Sequence, residues 1–467
     1  MSVDTNNAAF QDALNLIQYT RQSVFLTGKA GTGKSTFLRY VCEHTKKKHV
    51  VLAPTGIAAI NAGGSTMHSF FKLPFYPLLP DDPNLSLQRG RIHEFFKYTK
   101  PHRKLLEQIE LVIIDEISMV RADIIDAIDR ILRVYSHNLR EPFGGKQLLL
   151  VGDVFQLEPV VKNDEREILN RAYPTPYFFS ARVFSQIDLV SIELQKVYRQ
   201  TDSVFVSVLD HIRTNTAGAA DLQLLNTRYG SHIEESEADM YITLATRRDT
   251  VDSINEKKLA ELAGEPITFE GSIEGDFPES SLPTSQELVL KPGAQIIFIK
   301  NDFDRRWVNG TIGVIAGIDE EEETIYVITD DGKECDVKRE SWRNIRYRYN
   351  EKTKEIEEEV LGSFTQYPIR LAWAITVHKS QGLTFSRVVI DFTGGVFAGG
   401  QAYVALSRCT SLDGIQLKKP INRADIFVRP EIVNFAGRFN DRQAIDKALK
   451  QAQADVQYAA AARAFDK

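Results

Sequence analysis

The sequence predicts an α/β fold in which a parallel sheet flanked by helices occurs twice, with a small β-barrel inserted into the second copy. In the first half of the chain, strand-length runs of apolar residues alternate with helical segments. This alternation is typical of a doubly wound sheet that is covered on both faces. The same alternation begins again after residue 191. Between residues 291 and 359 apolar residues instead recur at every second position, as they do in antiparallel strands.

The composition fits a chain of several globular domains. The protein has 467 residues, of which 43% are hydrophobic and 26% are charged; these values are ordinary for a globular protein. The net charge of -6 means that any surface for a polyanion must be local. The three cysteines lack metal-ligand spacing, and we find neither a secretory signal nor an apolar run of about 18 residues. We therefore expect a cytoplasmic protein without a membrane partner.

A glycine-rich segment at 28–35 follows the first apolar strand and leads into a helix. It matches the pattern G-x-x-x-x-G-K-S in full. The glycines let backbone N–H groups surround an anion, and the helix N-terminus adds the positive end of its dipole. We therefore predict a nucleoside triphosphate site in which Lys34 reaches the β- and γ-phosphates and Ser35 holds Mg²⁺. The predicted phosphate-binding residues are Gly28, Ala30, Gly31, Thr32, Gly33, Lys34, Ser35 and Thr36.

Polar residues end two further apolar strands. Asp115 and Glu116 end the strand that begins at Leu111, at the edge where parallel sheets place ligand-binding groups. Asp115 is suited to hold Mg²⁺ and Glu116 to orient or deprotonate a water, although an acidic helix N-terminus gives the same pair. Gln156 follows the strand at 147–153 and carries a donor and an acceptor with which to sense a γ-phosphate. From spacing alone, a polar loop residue explains Gln156 better, and the phosphate-sensing role depends on the neighbouring motifs.

The remaining segments give the order of the other elements. They predict a helix at 7–19, a strand at 49–53 and a helix from 57, a proline-rich excursion at 73–100, a helix at 121–135, a strand at 241–245, a helix at 248–262, a connection at 264–290, barrel strands at 294–299, 311–315 and 324–328 with a turn at 330–333, strand–helix–strand order at 369–391, and a surface helix from 441.

Two arginines stand in segments that suit phosphoryl transfer. Arg199 follows the segment 194–198, and Arg408 ends the segment 401–408. A guanidinium group stabilises the charge that spreads over a transferring phosphoryl group. Because most arginines are surface or ion-pairing residues, the significance of these two depends on the motifs around them.

Several motifs occur in a fixed order along the chain. They are Gln11, the glycine-rich segment 28–35, APTGIAAIN at 53–61, GGSTMHSFF at 63–71, DEISMVRADIID at 115–126, GDVFQ at 152–156, VYR at 197–199, VHKSQGLT at 377–384 and VALSR at 404–408. This set closely resembles the ordered motifs of superfamily-one DNA helicases. The segments 63–71 and 115–126 resemble those of the petite-integration-frequency (Pif) helicase family, and the resemblance covers about residues 10 to 415. Gln22 is an alternative to Gln11 as the residue that reads the adenine edge.

The resemblance implies two RecA-like domains with ATP and Mg²⁺ in the cleft between them. The implied division is a first RecA-like domain at 1–190 with a wedge insertion at 73–100, a second at 191–290 and 360–435, an SH3-like β insertion at 291–359, and a helical tail at 436–467. Catalytic roles are implied for Lys34, Asp115, Glu116, Gln156, Arg199 and Arg408. Gln11 and Gly382 are implied to contact ATP, and Ser35 and Asp115 to hold the metal.

The resemblance also implies a path for single-stranded DNA across both domains. The candidate contacts are Thr55, Gly56, Asn61, His68 and Phe70 on the first domain and Thr246, His378, Lys379 and Ser380 on the second. Hydroxyl, imidazole and ammonium groups bind phosphates without reading bases. Phe70 suggests base stacking beside His68, although a core position is the more common role of such a phenylalanine.

The implied function is that of an ATP-dependent helicase that moves 5′→3′ on single-stranded DNA. It would open duplex, forked, hybrid or G-quadruplex structures, and it would act in telomere maintenance, DNA repair and recombination. One alternative is a translocase that hydrolyses ATP on DNA without unwinding it. Another is a P-loop kinase or metabolic NTPase, against which the duplicated α/β pattern argues. Because the chain lacks the long N-terminal extension of eukaryotic relatives, it resembles a compact bacterial or phage-type member. We also expect a monomer.

Overall fold

The computed structural model describes residues 4, 7–86, 90–198, 202–230 and 240–451 of the chain. Its first structural unit contains α1 (Ala8–Tyr19), β1 (Val24–Gly28), α2 (Lys34–His44), β2 (His49–Ala53), α3 (Gly56–Ala62), β3 (Ser65–Thr66), α4 (Met67–Phe71), α5 (Arg91–Phe96), α6 (Lys100–Gln108), β4 (Leu111–Ile114), α7 (Ala122–Tyr135), β5 (Gln147–Val151), α8 (Asn163–Asn170) and β6 (Val190–Leu194). The strands form one sheet in the order β3-β2-β4-β5-β1-β6, and all neighbouring pairs are parallel. Because β5 lies between β1 and β4, the loops that follow these three strands are adjacent at the carboxyl edge of the sheet.

The central strands of this sheet are apolar on both faces because both faces are covered. Leu148 and Leu150 pack into a core that includes α7, whereas Leu149 and Val151 pack into a second core with α1 and α2. All five residues of β5 are buried. Successive side chains of a strand point to opposite faces, so a continuous apolar run fills both cores. The strands predicted at 111–115 and 147–153 are thereby confirmed.

A second parallel sheet forms from the later part of the chain. The elements that follow β6 are α9 (Ser203–Arg213), α10 (Ala219–Asn226), β7 (Ile242–Ala245), α11 (Arg248–Glu261), β8 (Ile267–Glu270), β9 (Ser272–Gly275), β10 (Glu287–Leu290), β11 (Gln295–Phe298), β12 (Ile312–Asp319), β13 (Thr324–Thr329), β14 (Glu334–Val337), β15 (Glu340–Tyr349), β16 (Ile356–Gln366), β17 (Ile369–Leu371), β18 (Ala374–Thr376), β19 (Val388–Asp391), α12 (Gln401–Leu406), β20 (Ile415–Leu417) and α13 (Pro430–Ala436). The second sheet has the order β18-β7-β19-β20, again with parallel pairs. The predicted repetition of the α/β pattern is thus confirmed.

Antiparallel strands interrupt the second unit between β7 and β18. A five-stranded sheet in the order β14-β13-β12-β11-β17 packs around its own apolar core, and β16 pairs with both β15 and β9. These strands run from Ile267 to Leu371, beyond the predicted range of 291–359 on both sides. The reason is that β8 to β10 pair before that range, while β17 adds the last strand of the five-stranded sheet after it.

The inserted strands also contact the first unit. Tyr347 and Tyr349, from β15, are buried in the first unit's core. The Tyr347 hydroxyl accepts a hydrogen bond from the backbone N–H of Val51 at 3.3 Å. The insertion therefore connects both parallel-sheet units.

Two predicted elements differ from the structure. Residues 377–382 form turns where we predicted a helix between two strands. The Ser380 hydroxyl donates to the carbonyl of Val377 at 2.7 Å, a local bond of the kind that competes with helical backbone pairing. The C-terminal helix, described at 442–451, is not only a surface element, since its Ile445 is buried against the core that contains α1. Within the described ranges, no helix combines the length and the apolar character needed to cross a bilayer.

Candidate active site

The glycine-rich segment forms a tight loop between β1 and α2. Gly33, which precedes the first helical residue, has φ of +91°, a left-handed conformation that favours glycine. A Cβ atom on Gly28 would lie 2.7 Å from the carbonyl oxygen of Leu194. These glycines therefore allow the loop to turn beside β6. Ser35 and Thr36 lie in the first turn of α2, where Ser35 is exposed.

Lys34 lies across this loop. Its ammonium group donates hydrogen bonds to the carbonyl oxygens of Gly28 at 2.7 Å and Lys29 at 3.0 Å. The Thr32 hydroxyl donates to the same Lys29 carbonyl at 2.9 Å. The positive charge is thus held at the opening of the loop, where a phosphate would approach.

Two carboxylates follow β4 beside Lys34. An oxygen of Asp115 accepts a hydrogen bond from the backbone N–H of Glu116 at 2.9 Å, and Glu116 has φ of +50°. Burial raises the pKa of Asp115 above its usual range. Burial and the neighbouring Asp115 carboxylate raise the pKa of Glu116 to about 7, against the opposing effects of Lys34 and Arg408. A carboxylate with a pKa near 7 is suited to take a proton from water.

The same residues fit a magnesium ion. Ser35 and Asp115 offer a hydroxyl and a carboxylate oxygen, the hard ligands that Mg²⁺ prefers. A divalent cation would also offset the repulsion between Asp115 and Glu116 that raises the Glu116 pKa. Among the described residues, no cluster of three or more His, Cys, Asp or Glu side chains forms a closed metal site.

The second unit completes the cleft with α12 and the residues after it. The Tyr403 hydroxyl accepts a hydrogen bond from the backbone N–H of Ala30 at 3.1 Å. Arg408 is 1% exposed, and its guanidinium donates to the carbonyl oxygens of Val404 at 2.9 Å and Ser380 at 3.3 Å. Its charge lowers the pKa of Glu116 across the cleft. Arg199 lies outside the described residues.

Gln156 lies in the loop after β5, between the two units. It is 8% exposed, and its side-chain amide donates to Asp153 at 3.4 Å. Asp153 in turn accepts hydrogen bonds from the guanidinium of Arg213 on α9. The structure thus brings Gln156 into the cleft with Lys34, Asp115, Glu116 and Arg408.

The two candidates for the adenine-reading glutamine lie at different ends of the sheet. Gln11 is in the first turn of α1, whose Phe10 packs on Phe37 of α2 at a ring distance of 4.8 Å. Gln22 precedes β1, at the end opposite the glycine-rich loop, and its amide donates to the carbonyls of Ser23 and Asp188. Gln11 is therefore the candidate on the nucleotide side.

On the first unit, the predicted DNA residues divide into exposed and buried ones. Thr55 and Asn61 are exposed, and Gly56 begins α3 between them. His68 stacks on Phe75 with a ring distance of 5.1 Å and an interplanar angle of 10°. Phe75 is 83% exposed, whereas Phe70 is 4% exposed in the core. The structure therefore corrects Phe70 to a core residue, and the aromatic ring available beside His68 is Phe75.

The second unit offers a similar pair of rings. His378 stacks on Phe397 with a ring distance of 6.5 Å and an angle of 18°, and Phe397 is 59% exposed. Lys379 is exposed, as is Gly382. Although part of the side chain is exposed, neighbouring protein atoms desolvate the Lys379 ammonium group. This desolvation, followed by the nearby charges of Arg370 and Arg248, lowers the pKa of Lys379 to about 8. Lys379 therefore keeps most of its charge at neutral pH.

Ser380 and Thr246 are less accessible than the prediction requires. Ser380 is 0% exposed and Thr246 is 4% exposed. The Ser380 hydroxyl is committed to the Val377 carbonyl, so it does not offer a phosphate contact in this conformation. The Thr246 hydroxyl lies against Gly394, to whose carbonyl Arg247 donates at 3.0 Å.

Comparison with known proteins identifies the family. The profile of the PIF1-like helicase family matches residues 4–217. The ATP-dependent DNA helicase Pif1 of Campylobacter jejuni is 33% identical over 412 residues, which are 85% of this chain and 88% of that protein. The chain belongs to the Pif1 family of ATP-dependent DNA helicases. It is therefore an ATP-hydrolysing enzyme.

Solved structures of the Pif1 family support this membership. The crystal structure of Bacteroides sp Pif1 in complex with ADP-AlF4 is 41% identical, with 94% of this chain and 97% of that chain covered and a TM-score of 0.85. Bacteroides Pif1 bound to single-stranded DNA is also 41% identical over the same shares of both chains, with a TM-score of 0.65.

Sequence reasoning missed several cleft residues of this Pif1 family member. Tyr403 and Arg213 were not predicted, nor was the ion pair between Lys29 in the glycine-rich loop and Asp210 on α9. Tyr403 stands five residues before Arg408, so its place in the same short segment was an available signal. Arg213 and Asp210 lie on an ordinary amphipathic helix, and nothing in their spacing indicates that they contact the first unit.

Proposed function

We propose that this chain moves 5′→3′ on single-stranded DNA and unwinds duplex, forked, hybrid or G-quadruplex structures as a monomer, with Mg²⁺ and ATP. The observation that carries the proposal is the cleft, where the phosphate-binding loop of one unit contacts Tyr403 of the other and the charge of Arg408 lowers the pKa of Glu116. A nucleotide bound there contacts both units, so its hydrolysis changes their relative position. The direction of movement rests on the family resemblance.

In the proposed reaction, the first unit binds and activates the substrate. The loop amides and Lys34 hold the β- and γ-phosphates, and Ser35 with Asp115 would hold Mg²⁺, which supplies charge neutralisation on the phosphate oxygens. Glu116 takes the proton of the attacking water, for which a pKa of about 7 suits it. Gln156 senses the γ-phosphate through its side-chain amide.

The second unit contributes positive charge. Arg408 stabilises the charge on the transferring phosphoryl group, and Arg199 has the same proposed role. The guanidinium of Arg408 donates hydrogen bonds to the backbone carbonyls of Val404, Ser380 and Leu383, which hold it in place in the cleft. A buried guanidinium loses little conformational freedom on binding, which favours precise placement.

DNA would lie across the carboxyl edges of both sheets. The exposed rings of Phe75 and Phe397, each stacked on a histidine, are suited to stack on bases without reading sequence. Thr55 and Lys379 are suited to contact phosphates. Bacteroides Pif1 has been solved with single-stranded DNA, which supports the same ligand for this relative. We propose that the excursion at 73–100 separates the strands and that the inserted β-strands flank the path.

The test is ATP hydrolysis with and without a single-stranded oligonucleotide, followed by strand separation on duplexes with a 5′ or a 3′ tail. We expect hydrolysis to rise with DNA and unwinding to require the 5′ tail. The matched control is Lys34→Ala, which should lose DNA-stimulated hydrolysis because the phosphates lose their ammonium partner. Hydrolysis that is indifferent to DNA would contradict the proposal. Stimulated hydrolysis without strand separation would identify a translocase.

A further inference from the structure

Arg213 joins the second unit to the first. Its helix, α9, is anchored in the core of the second unit by Phe205, Leu209 and Ile212. The Arg213 side chain, at the last position of α9, is only 4% exposed. It points away from that core, because its charged partners belong to the first unit.

The guanidinium is held on three sides. Its Nη2 and Nε donate to the two carboxylate oxygens of Asp153 at 3.1 Å and 3.3 Å. Its Nη1 lies 2.8 Å from a carboxylate oxygen of Glu193 on β6. Its central carbon lies 4.4 Å above the ring of Phe155. Two charged partners and one ring fix the planar guanidinium in a single orientation. A lysine ammonium group is not planar and could not make the same set of contacts.

Asp153 links this guanidinium to Gln156. The Asp153 side chain is 0% exposed. In addition to Arg213, it accepts hydrogen bonds from the backbone N–H of Phe155 at 3.2 Å and from the side-chain amide of Gln156 at 3.4 Å. Any movement of Gln156 towards or away from a γ-phosphate therefore changes the position of a carboxylate that Arg213 holds.

The second unit also encloses the other side of this loop. A Cβ atom on Gly400 would lie 2.2 Å from the carbonyl oxygen of Gln156, so only glycine permits this approach. Leu157 is fully buried in the core of the second unit. The loop from Asp153 to Leu157 is thus held by α9 on one side and by the start of α12 on the other.

We propose that Arg213 is a positioning residue that transmits the state of the γ-phosphate from Gln156, through Asp153, to α9 and the second unit. By this route the bound nucleotide sets the affinity of the protein for single-stranded DNA. The proposal rests on the proposed role of Gln156. A helix packed into a core moves as a rigid body, so displacement of Arg213 displaces the unit that carries His378 and Lys379.

The test compares the affinity for a fluorescent single-stranded oligonucleotide in two states, without nucleotide and with ADP plus aluminium fluoride. The variant is Arg213→Lys, which keeps the positive charge but loses the two-point contact and the ring stacking. We expect the ratio of the two dissociation constants to move about tenfold towards one, a typical size for coupling between two sites. The matched control is Arg228→Lys. The Arg228 guanidinium binds the carbonyls of Ile415 and Asp413 within the second unit, so this variant should leave the ratio of dissociation constants unchanged.

The outcomes separate this proposal from the proposed function. If the DNA affinity of the wild-type protein does not change with nucleotide, and its ATP hydrolysis does not change with DNA, both the proposed function and the coupling are overturned. If the wild-type DNA affinity changes with nucleotide and Arg213→Lys shows the same ratio of dissociation constants as the wild type, only the coupling is overturned. If Arg213→Lys does not fold, Phe155→Leu removes the ring beneath the guanidinium and leaves the ion pairs. We then expect the ratio of the two dissociation constants to move about threefold towards one. An unchanged ratio overturns the coupling.

Discussion

Replacing Glu116 with glutamine should strongly reduce ATP turnover and yet stabilise the protein above neutral pH. In the folded protein, burial and the neighbouring Asp115 raise the Glu116 pKa from 4.5 to about 7. The folded state therefore binds more protons than the unfolded state between these two pH values. Stability must then fall as pH rises through that window, and the loss is complete above pH 7.

The size of the effect follows from the same shift. One pKa unit corresponds to about 1.4 kcal/mol, so ionised Glu116 costs at most about 3 kcal/mol above neutral pH. A glutamine has no charge to bury. The difference in unfolding free energy between Glu116→Gln and wild type should thus grow from near zero at about pH 4.5 to about 3 kcal/mol at pH 8.

The assay is thermal or urea unfolding of both proteins across this pH range in the absence of metal and nucleotide. Glu256→Gln, at an exposed position on α11, controls for the loss of a carboxylate as such. After Mg²⁺, ATP and single-stranded DNA are added to the same preparations, wild-type kcat/KM for ATP should rise with pH through about 7, since the base must be ionised. Hydrolysis by Glu116→Gln should fall by roughly 10²- to 10⁴-fold. A stability difference that is the same at pH 5 and pH 8 would refute the reasoning.

Two further predictions concern the cleft and the DNA face. Tyr403→Phe removes the hydroxyl that pairs with the Ala30 amide, so a phosphate no longer has to displace it. Since one hydrogen bond contributes about 1 kcal/mol, we expect ATP to bind about fivefold more tightly, as measured by titration calorimetry. Phe75→Ala should weaken binding of single-stranded DNA by about 1–3 kcal/mol without loss of stability, because the ring is 83% exposed. Phe70→Ala should instead destabilise the fold by about 3–5 kcal/mol, and equal effects of the two variants on DNA binding would contradict the assignment of Phe70 to the core.

Much of the fold could be predicted because its signals are local. The apolar run that ends at Asp115 and the glycine-rich loop before Lys34 each carry their structural meaning within a few residues. The register of the inserted strands could not be predicted in this way, since β17 joins β11 across more than 70 residues of chain. Pairing at such separation depends on three-dimensional packing, which a periodicity of two does not specify.

The candidate site divides along the same line. Lys34, Asp115 and Gln156 follow strands of one sheet, so topology alone brings them together. Phe70 and Ser380 were misjudged because residue type does not reveal burial. Phe70 shares its short helix with His68, yet it faces the core. Arg213 was missed for the opposite reason: an arginine at a helix end is common on surfaces, and only its carboxylate partners in the other unit reveal its position.

The cleft contacts have a property that suits repeated opening. Two of them are polar, and a phosphate can replace one partner in each: the Ala30 amide with Tyr403, and Lys29 with Asp210. Exchange of one hydrogen-bond partner for another changes the free energy by little. Separation of an apolar interface of the same size, in contrast, costs about 25 cal/mol for each Å² of apolar surface that becomes exposed. The loop around Leu157 is different, because it is buried in the second unit's core. We infer that the nucleotide-binding face separates and closes while the Asp153–Leu157 loop stays attached, so that this loop serves as the pivot of the movement.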